Sequence, residues 1–105
     1  MVSDILIIGG GAAAMTAALY ASRAGYQVTL VEKNAFGGQI ADSPKVENFP
    51  TIQSISGLEL SNRMFEQISD LGTNIEMDEI LSLQKKDGIF IIQGQFDSYF
   101  AKSVI

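Results

Sequence analysis

The sequence predicts an α/β fold in which a parallel sheet with flanking helices is joined to a β-meander. Residues 5–8 form an apolar run without polar alternation, as in a strand buried on both faces of a parallel sheet. An alanine-rich run over residues 12–24 predicts a helix, because alanine has the highest helix propensity. Further along the chain, short apolar runs alternate with glycine-containing turns, which is typical of antiparallel strands.

The composition is that of a folded protein and excludes several classes of function. The chain has 105 residues, enough for one small domain, and its formal net charge is −5 with seven basic residues. This balance does not favour nucleic acid or an anionic membrane as a partner. With no cysteine and no histidine, the chain offers no thiol or imidazole, and we predict neither a catalytic residue nor a metal ligand. No apolar run reaches membrane-spanning length and no basic leader precedes the first strand, so we expect a cytoplasmic protein.

A glycine-rich turn lies between the first strand and the first helix, in the pattern Gly9-x-Gly11-x-x-Ala14. The first glycine permits a tight turn, the second lets the backbone approach a pyrophosphate, and the small third residue brings the helix onto the strand. The helix N-terminus then offers unpaired N–H donors to the phosphates. This unit predicts a Rossmann-like domain that binds a dinucleotide.

A second predicted strand, residues 26–31, ends at Glu32. The fingerprint requires an acidic residue about 20 residues beyond the glycines, where it binds the ribose hydroxyls. An acid at this position favours a free 2′-hydroxyl over a 2′-phosphate, and so NAD or FAD over NADP. The alternative, an ordinary glycine turn, is disfavoured because strand, helix and Glu32 occur together.

Residues 34–56 form a long segment that contains both prolines and the pair Gly37-Gly38. Loops of this length are usually functional or disordered, and the apolar residues of this one argue against disorder. We predict a compact loop that faces the cofactor.

The second helix is predicted over residues 57–71. Ser56 and Glu59 form a capping box at its start, and Gly72 follows its end. Its buried face is expected to carry Leu60, Met64, Ile68 and Leu71.

Residues 74–101 are predicted as the β-meander, with Asp87-Gly88 as its strongest turn signal. The predicted parts are a strand over 74–83, a turn over 85–88, a strand over 89–93, a turn at 94–95 and a strand over 96–100. Residues 103–105 are expected to begin one more buried strand.

Several motifs occur together in one order: Ile7-Ile8-Gly9-Gly10-Gly11, Glu32, Gly37-Gly38-Gln39, Val46-Glu47-Asn48-Phe49-Pro50, Ile55-Ser56-Gly57 and the meander. In these motifs the chain resembles, over essentially its whole length, the N-terminal part of the low-molecular-weight thioredoxin reductases. These are flavoproteins of the pyridine nucleotide-disulfide oxidoreductase class. Gly-Gly-Gln followed by Val-Glu-Asn-Phe-Pro is the most specific part of the resemblance. Ala12-Ala13-Ala14 departs from it, since the family usually has Pro-Ala-Gly there.

The resemblance implies that the dinucleotide is FAD. The expected contact residues are Gly9, Gly11, Ala12, Ala13, Ala14, Glu32, Lys33, Gly38, Gln39, Asn48 and Ile80. The glycine turn and Ala14 would serve the pyrophosphate and Glu32 the ribose, while the backbone near Ile80 would face the adenine. Gly38 and Gln39 would lie along the cofactor, and Asn48 would approach the flavin.

The resemblance also implies a longer parent enzyme that passes electrons from NAD(P)H through FAD to a disulfide. Such enzymes carry an NADPH-binding domain with a Cys-x-x-Cys pair, whereas this chain has no cysteine and no second glycine fingerprint. We therefore expect a partial, truncated FAD-binding domain over residues 1–105 that is inactive alone. The parent is expected to be a homodimer that reduces a thioredoxin-like protein.

Two alternatives remain open. Thioredoxin-reductase-like ferredoxin (flavodoxin)–NADP reductases share this N-terminal part and lack the Cys pair, although residues 46–50 favour a thioredoxin reductase. A non-catalytic nucleotide-binding module is the other, and it would have to bury the sheet edge expected at Ile105, because exposed edges invite pairing.

Overall fold

The computed structural model describes residues 1–34 and 56–105. Within these ranges the chain forms six strands and two helices. In chain order they are β1 (Val2–Ile8), α1 (Ala12–Arg23), β2 (Val28–Glu32), α2 (Gly57–Asp70), β3 (Asn74–Met77), β4 (Ile80–Lys86), β5 (Ile89–Gly94) and β6 (Ser98–Val104). The predicted loop over residues 34–56 lies, apart from its two end residues, outside the described residues.

The six strands form one sheet in the order β3-β2-β1-β6-β5-β4. Strands β3, β2, β1 and β6 are parallel, with Ile7 opposite Leu30 and Leu6 opposite Val104. Strands β4, β5 and β6 are antiparallel and form the meander. The parallel sheet, the flanking helices and the meander confirm the predicted fold class.

The sheet must fold over on itself, because Asp78 and Glu79 alone join β3 at one edge to β4 at the other. Six strands laid flat would place their edges about 24 Å apart. The Cα atoms of Met77 and Ile80 can be separated by at most roughly 11 Å across this link. The meander therefore lies over one face of the parallel strands.

Both faces of the parallel strands are packed, as the apolar run over residues 5–8 predicts. On one face Ile7, Val28 and Leu30 pack with Met15 and Ala18 of α1 and Ile68 of α2. On the other face Leu6 and Val31 pack with Ile92 and Ala101 of the meander. Successive residues of a strand point to opposite faces, so β1 and β2 each supply both cores.

The predicted helices differ from the observed ones mainly at their ends. The Ser56 side chain accepts a hydrogen bond from the Glu59 N–H at 3.1 Å, which confirms the predicted N-cap of α2. The Glu59 carboxylate pairs with Arg63 one turn along the helix at 3.0 Å. Leu71 was expected in the buried face, but it lies just beyond the last residue of α2 and is 41% exposed.

The predicted strand over residues 74–83 is wrong, because two strands at opposite edges of the sheet occupy that stretch. The break falls at Asp78, whose carboxylate binds backbone N–H groups of the β5–β6 turn. These partners lie almost 20 residues further along the chain, so a local pattern gives no sign of them. The predicted Asp87-Gly88 turn is confirmed, because both residues have positive φ, as a type I′ turn requires. Lys85 and Lys86, which were predicted as part of the turn, belong to β4.

The expected start of a new strand at residues 103–105 is also wrong, since Ser103 and Val104 belong to the same strand as Ser98. Strand β6 lies between β1 and β5, and its pairing with β1 extends to Ile105, whose N–H donates to the Leu6 carbonyl at 2.9 Å. The sheet edges in the described part of the chain are therefore β3 and β4. No helix there is long and apolar enough to span a membrane.

Candidate functional site

A cavity of about 210 Å³ opens at the carboxyl ends of β1 and β2. Four predicted contact residues line it: Gly9, Glu32, Lys33 and Ile80. Ligands of open α/β sheets bind at this edge, outside the carboxyl ends of the parallel strands. The fold thus brings together residues that are up to 71 positions apart in the sequence.

The glycine turn directs the chain from β1 into α1. Gly9 has φ +118°, a backbone conformation that residues other than glycine rarely adopt. Its N–H donates to the Val31 carbonyl at 2.8 Å, which fixes the turn to the end of β2.

Gly11 has a different reason to be glycine. Its backbone is extended, with φ −74° and ψ 179°, which any residue can adopt. A Cβ at Gly11 would meet no atom of the described residues within 4 Å. Packing within the described protein therefore does not require glycine here. Open space beside bare backbone is what the close approach of a pyrophosphate demands.

The N-terminus of α1 faces the same end of the sheet. Gly11 is its N-cap residue, and no side chain of the described residues caps the helix there. The first turn contains Ala12, Ala13 and Ala14, whose N–H groups have no acceptor within a helix. Such donors, together with the positive end of the helix dipole, are the features that favour anions at helix N-termini. Ala14 packs against the core formed by α1 and the sheet, as the small third position of the fingerprint predicts.

Glu32 is the last residue of β2 and is half-buried. Its Oε1 accepts the N–H of Lys33 at 3.0 Å, and its carbonyl accepts the N–H of Asp78 at 3.0 Å. A carboxylate can accept hydrogen bonds from the two hydroxyls of a ribose, whereas it repels a 2′-phosphate.

Sequence reasoning missed four residues that line this cavity: Ile8, Val31, Asp78 and Glu79. Asp78 is 4% exposed, and its carboxylate accepts hydrogen bonds from the Tyr99 hydroxyl at 2.8 Å and from three backbone N–H groups. Asp78 is one of three acids in the apparent strand over residues 74–83, and no local signal distinguishes it, because its partners in the β5–β6 turn are distant in sequence.

The hydrogen bonds decide the charge state of Asp78. Burial raises the pKa of its carboxyl, but the bonds from Tyr99 and from the backbone N–H groups of Phe96, Glu79 and Asp97 outweigh that effect and hold the pKa below its usual value. Burial, followed by the neighbouring Asp78 carboxylate, raises the pKa of the Tyr99 hydroxyl far above its usual value. The pair is therefore a carboxylate that accepts a hydrogen bond from a neutral phenol.

Three predicted contact residues, Gly38, Gln39 and Asn48, lie outside the described residues. Among residues 1–34 and 56–105, no group of three or more acidic side chains is arranged to hold a metal ion. Within the described residues, the candidate site thus consists of open backbone, a helix N-terminus and the acid Glu32 at the end of β2.

Comparisons with known proteins agree with this geometry. Thioredoxin reductase from Bacillus subtilis (strain 168) is 38% identical over 102 residues, which is 97% of this chain and 32% of the relative. Thioredoxin reductase from Streptococcus pyogenes MGAS5005 matches the fold with a TM-score of 0.92 at 35% identity, over 98% of this chain and 34% of that one. The T. acidophilum enzyme gives a TM-score of 0.90 at 37% identity, over 97% and 34% of the two chains.

The chain spans about a third of the length of these relatives. Their names do not favour the ferredoxin (flavodoxin)–NADP reductase alternative. The family profile described as pyridine nucleotide-disulphide oxidoreductase matches residues 3–105. Its match covers nearly the whole chain, including the glycine turn, Glu32 and the meander, and the chain therefore belongs to the pyridine nucleotide-disulphide oxidoreductase family.

Proposed function

We propose that this chain is the FAD-binding portion of a thioredoxin reductase-like flavoprotein that passes electrons from NAD(P)H through FAD to a disulfide. One observation carries the proposal: the cavity at the carboxyl ends of β1 and β2 is lined by Gly9 of the glycine turn and by Glu32, and no side chain of the described residues caps the α1 N-terminus that follows the turn. In dinucleotide-binding sites the pyrophosphate lies at such a glycine turn and the ribose at such an acid.

Each of these residues is proposed to contact a different part of the cofactor. Gly9 sets the turn, Gly11 leaves room for the pyrophosphate, and the N–H groups of residues 12–14 donate to its oxygens. The Glu32 carboxylate accepts from the ribose hydroxyls, with Lys33 beside it. The adenine lies against the wall formed by Ile80. We propose that Gly38, Gln39 and Asn48 extend the site towards the flavin, as the family resemblance implies.

The chemistry of the reaction belongs to the flavin, which when bound would accept a hydride from a nicotinamide and pass electrons to a dithiol pair. This chain contributes binding and orientation. It contains no cysteine, so the thiols that exchange with a disulfide are not among its 105 residues. We propose that residues 1–105 bind part of the cofactor and are inactive alone.

The parent enzyme is proposed to be a cytoplasmic homodimer that uses NADPH and reduces a thioredoxin-like protein. The support is the set of relatives named thioredoxin reductase. The remaining alternative, a nucleotide-binding module without catalysis, shares the same cavity and differs in having no redox partner.

Equilibrium dialysis of the 105-residue chain against FAD tests the proposal. We expect saturable binding of one FAD per folded chain, followed by visible flavin absorbance, and weakened binding in the Gly11→Val variant. Anaerobic addition of NADPH is expected to leave the flavin oxidised. A folded chain that binds no FAD would contradict the proposal, and so would flavin reduction by NADPH on this chain alone.

A further inference from the structure

We propose that Asp78 is a positioning residue for the adenosine end of this site, which it serves by fixing the cavity wall formed by Glu79 and Ile80 to the β5–β6 turn. The inference rests on the proposed function, because it concerns the shape of the same nucleotide cavity. Asp78 acts through the wall, and its carboxylate oxygens are directed to protein donors.

The carboxylate joins the cavity wall to the turn between two other strands. Its Oδ1 accepts the Glu79 N–H at 2.8 Å and the Phe96 N–H at 3.2 Å. Its Oδ2 accepts the Asp97 N–H at 3.2 Å and the Tyr99 hydroxyl at 2.8 Å. Four donors converge on two oxygens, so both are fully used by the protein. A carboxylate can accept all four hydrogen bonds at once, since it carries about four lone-pair sites.

Backbone hydrogen bonds continue the connection on both sides of Asp78. The N–H of Asp78 donates to the Glu32 carbonyl at 3.0 Å, and the N–H of Gln95 donates to the Glu79 carbonyl at 2.9 Å. The residue proposed to bind the ribose and the wall proposed to face the adenine are therefore held at a fixed separation. The β5–β6 turn is the third point of this support.

Gly94 shows independently that the carboxylate occupies a tightly fitted position. A Cβ built on Gly94 would overlap the carboxylate of Asp78 and lie 2.7 Å from its Cγ. Gly94 is not among the described glycines that have positive φ, so its backbone conformation does not require glycine. Space for Asp78 is the reason for glycine at this position.

Replacing Asp78 by asparagine keeps the shape of the side chain and changes its hydrogen bonding. The amide has one oxygen, so at least one of the two pairs of donors would face an NH₂ group. An NH₂ group cannot accept a hydrogen bond from a backbone N–H, so the substitution breaks hydrogen bonds between residue 78 and its donors without creating a cavity. The wall should then be held less firmly, because only the backbone bonds of Asp78 and Glu79 and at most one pair of side-chain bonds remain, while the glycine turn, which is attached to Val31, keeps its place.

The test is an NMR titration of the ¹⁵N-labelled chain with two probes, ADP and inorganic pyrophosphate. Both probes reach the glycine turn and the α1 N-terminus, but ADP alone reaches the wall. For Asp78→Asn we expect ADP affinity to fall about tenfold, with pyrophosphate affinity within about twofold of the native value. Tyr99→Phe, which removes one donor, should give a smaller loss for ADP and none for pyrophosphate. The matched control Asp87→Asn, in the hairpin turn, should leave both affinities unchanged.

The outcomes separate this inference from the proposed function. Equal ADP affinity in the native chain and in folded Asp78→Asn and Tyr99→Phe chains would overturn the role of Asp78 and leave the proposed function standing. A parallel loss for ADP and pyrophosphate would show a general structural role and would also overturn it. A native chain that binds neither probe would overturn both. If Asp78→Asn does not fold, Tyr99→Phe and Gly94→Ala test the inference instead. Gly94→Ala displaces the carboxylate and should weaken the binding of ADP but not that of pyrophosphate.

Discussion

The N–H of Gly9 donates to the carbonyl oxygen of Val31 at 2.8 Å, one residue beyond the last paired position of β1. This bond carries the pairing of β1 with β2 into the glycine turn. It therefore sets the direction in which the chain enters α1. This contact therefore connects the turn that leads into the α1 N-terminus with the end of β2, where Glu32 lies.

Replacement of Gly11 by alanine should separate binding from folding. The backbone at Gly11 suits any residue and a Cβ meets open space, so the free energy of unfolding should change by less than about 1 kcal/mol. The new methyl group would stand between the backbone and the pyrophosphate, and ADP affinity should fall at least about tenfold. Urea unfolding and calorimetric titration with ADP measure the two effects.

Gly9→Ala is the matched comparison, because Gly9 has positive φ. A side chain in that conformation costs roughly 1–3 kcal/mol, so this variant should lose stability as well as binding. If Gly11→Ala lost stability to the same extent as Gly9→Ala, the space beside Gly11 would serve the fold and not a ligand.

Glu32 should decide which ribose the site accepts. We expect Glu32→Ala to weaken ADP binding about tenfold by removing the hydroxyl acceptor. The same variant should weaken the discrimination against 2′-phosphorylated ADP, because the repelling carboxylate is gone. Titration of each variant with both nucleotides measures the ratio. Glu66→Ala, an exposed position on α2, is the control and should leave the ratio as in the native chain; an unchanged ratio in Glu32→Ala would exclude Glu32 from the ribose site.

Asp78 should contribute to the acid sensitivity of the fold. Its pKa is held below the usual value, so its contribution to stability is fully present above the ordinary carboxyl pKa of about 3.9. That contribution is lost as the pH falls through the lower, folded pKa. The difference in unfolding midpoint between the native chain and Asp78→Asn should therefore be constant near neutral pH and shrink below pH ~4. Urea unfolding at a series of pH values measures it, and a difference that grows on acidification would show the opposite shift.

The apolar contact between α2 and the sheet should contribute more to the stability of the fold than the ion pair on the surface of α2. Ile68 is 1% exposed and packs in the core with α1 and the sheet, so Ile68→Ala should destabilise the fold by about 2–5 kcal/mol. Arg63 and Glu59 form a pair whose side chains are 59% and 55% exposed, and Arg63→Ala should change stability by at most about 0.5 kcal/mol. Thermal unfolding of both variants checks the order, and equal effects would contradict the packing described for α2.

The parts of the fold that sequence reasoning could predict are those that depend on neighbours in the chain. The glycine turn, the acid at Glu32 and the Asp87-Gly88 hairpin each have a local cause, namely backbone conformation or a fixed spacing between strand and helix. The separation of β3 from β4 has no such cause. This separation depends on the hydrogen bonds between Asp78 and the turn that precedes β6. Without knowledge of that partner, the pattern of residues 74–83 predicts a single strand.

The same limit applies to the site. Gly9, Glu32 and Ile80 could be assigned to the site from the motif and the family resemblance, and they line one cavity. Asp78 and Glu79 could not be, because their contribution arises from the crossing of the chain between the two edges of the sheet. The position of β6 between β1 and β5 likewise depends on its pairing with other strands, and β1 is far away in sequence. The short apolar run at residues 103–105 does not indicate these partners.

We propose above that this chain binds the adenosine and pyrophosphate half of FAD. Isothermal titration calorimetry of the folded chain with FAD, ADP and FMN tests it most directly, since ADP carries that half and FMN lacks the adenosine. We expect FAD and ADP to bind one per chain with similar affinity and FMN to bind much more weakly. FMN binding as tightly as ADP, or no binding of ADP to the folded chain, would show that the cavity at the carboxyl ends of β1 and β2 is not an adenosine site.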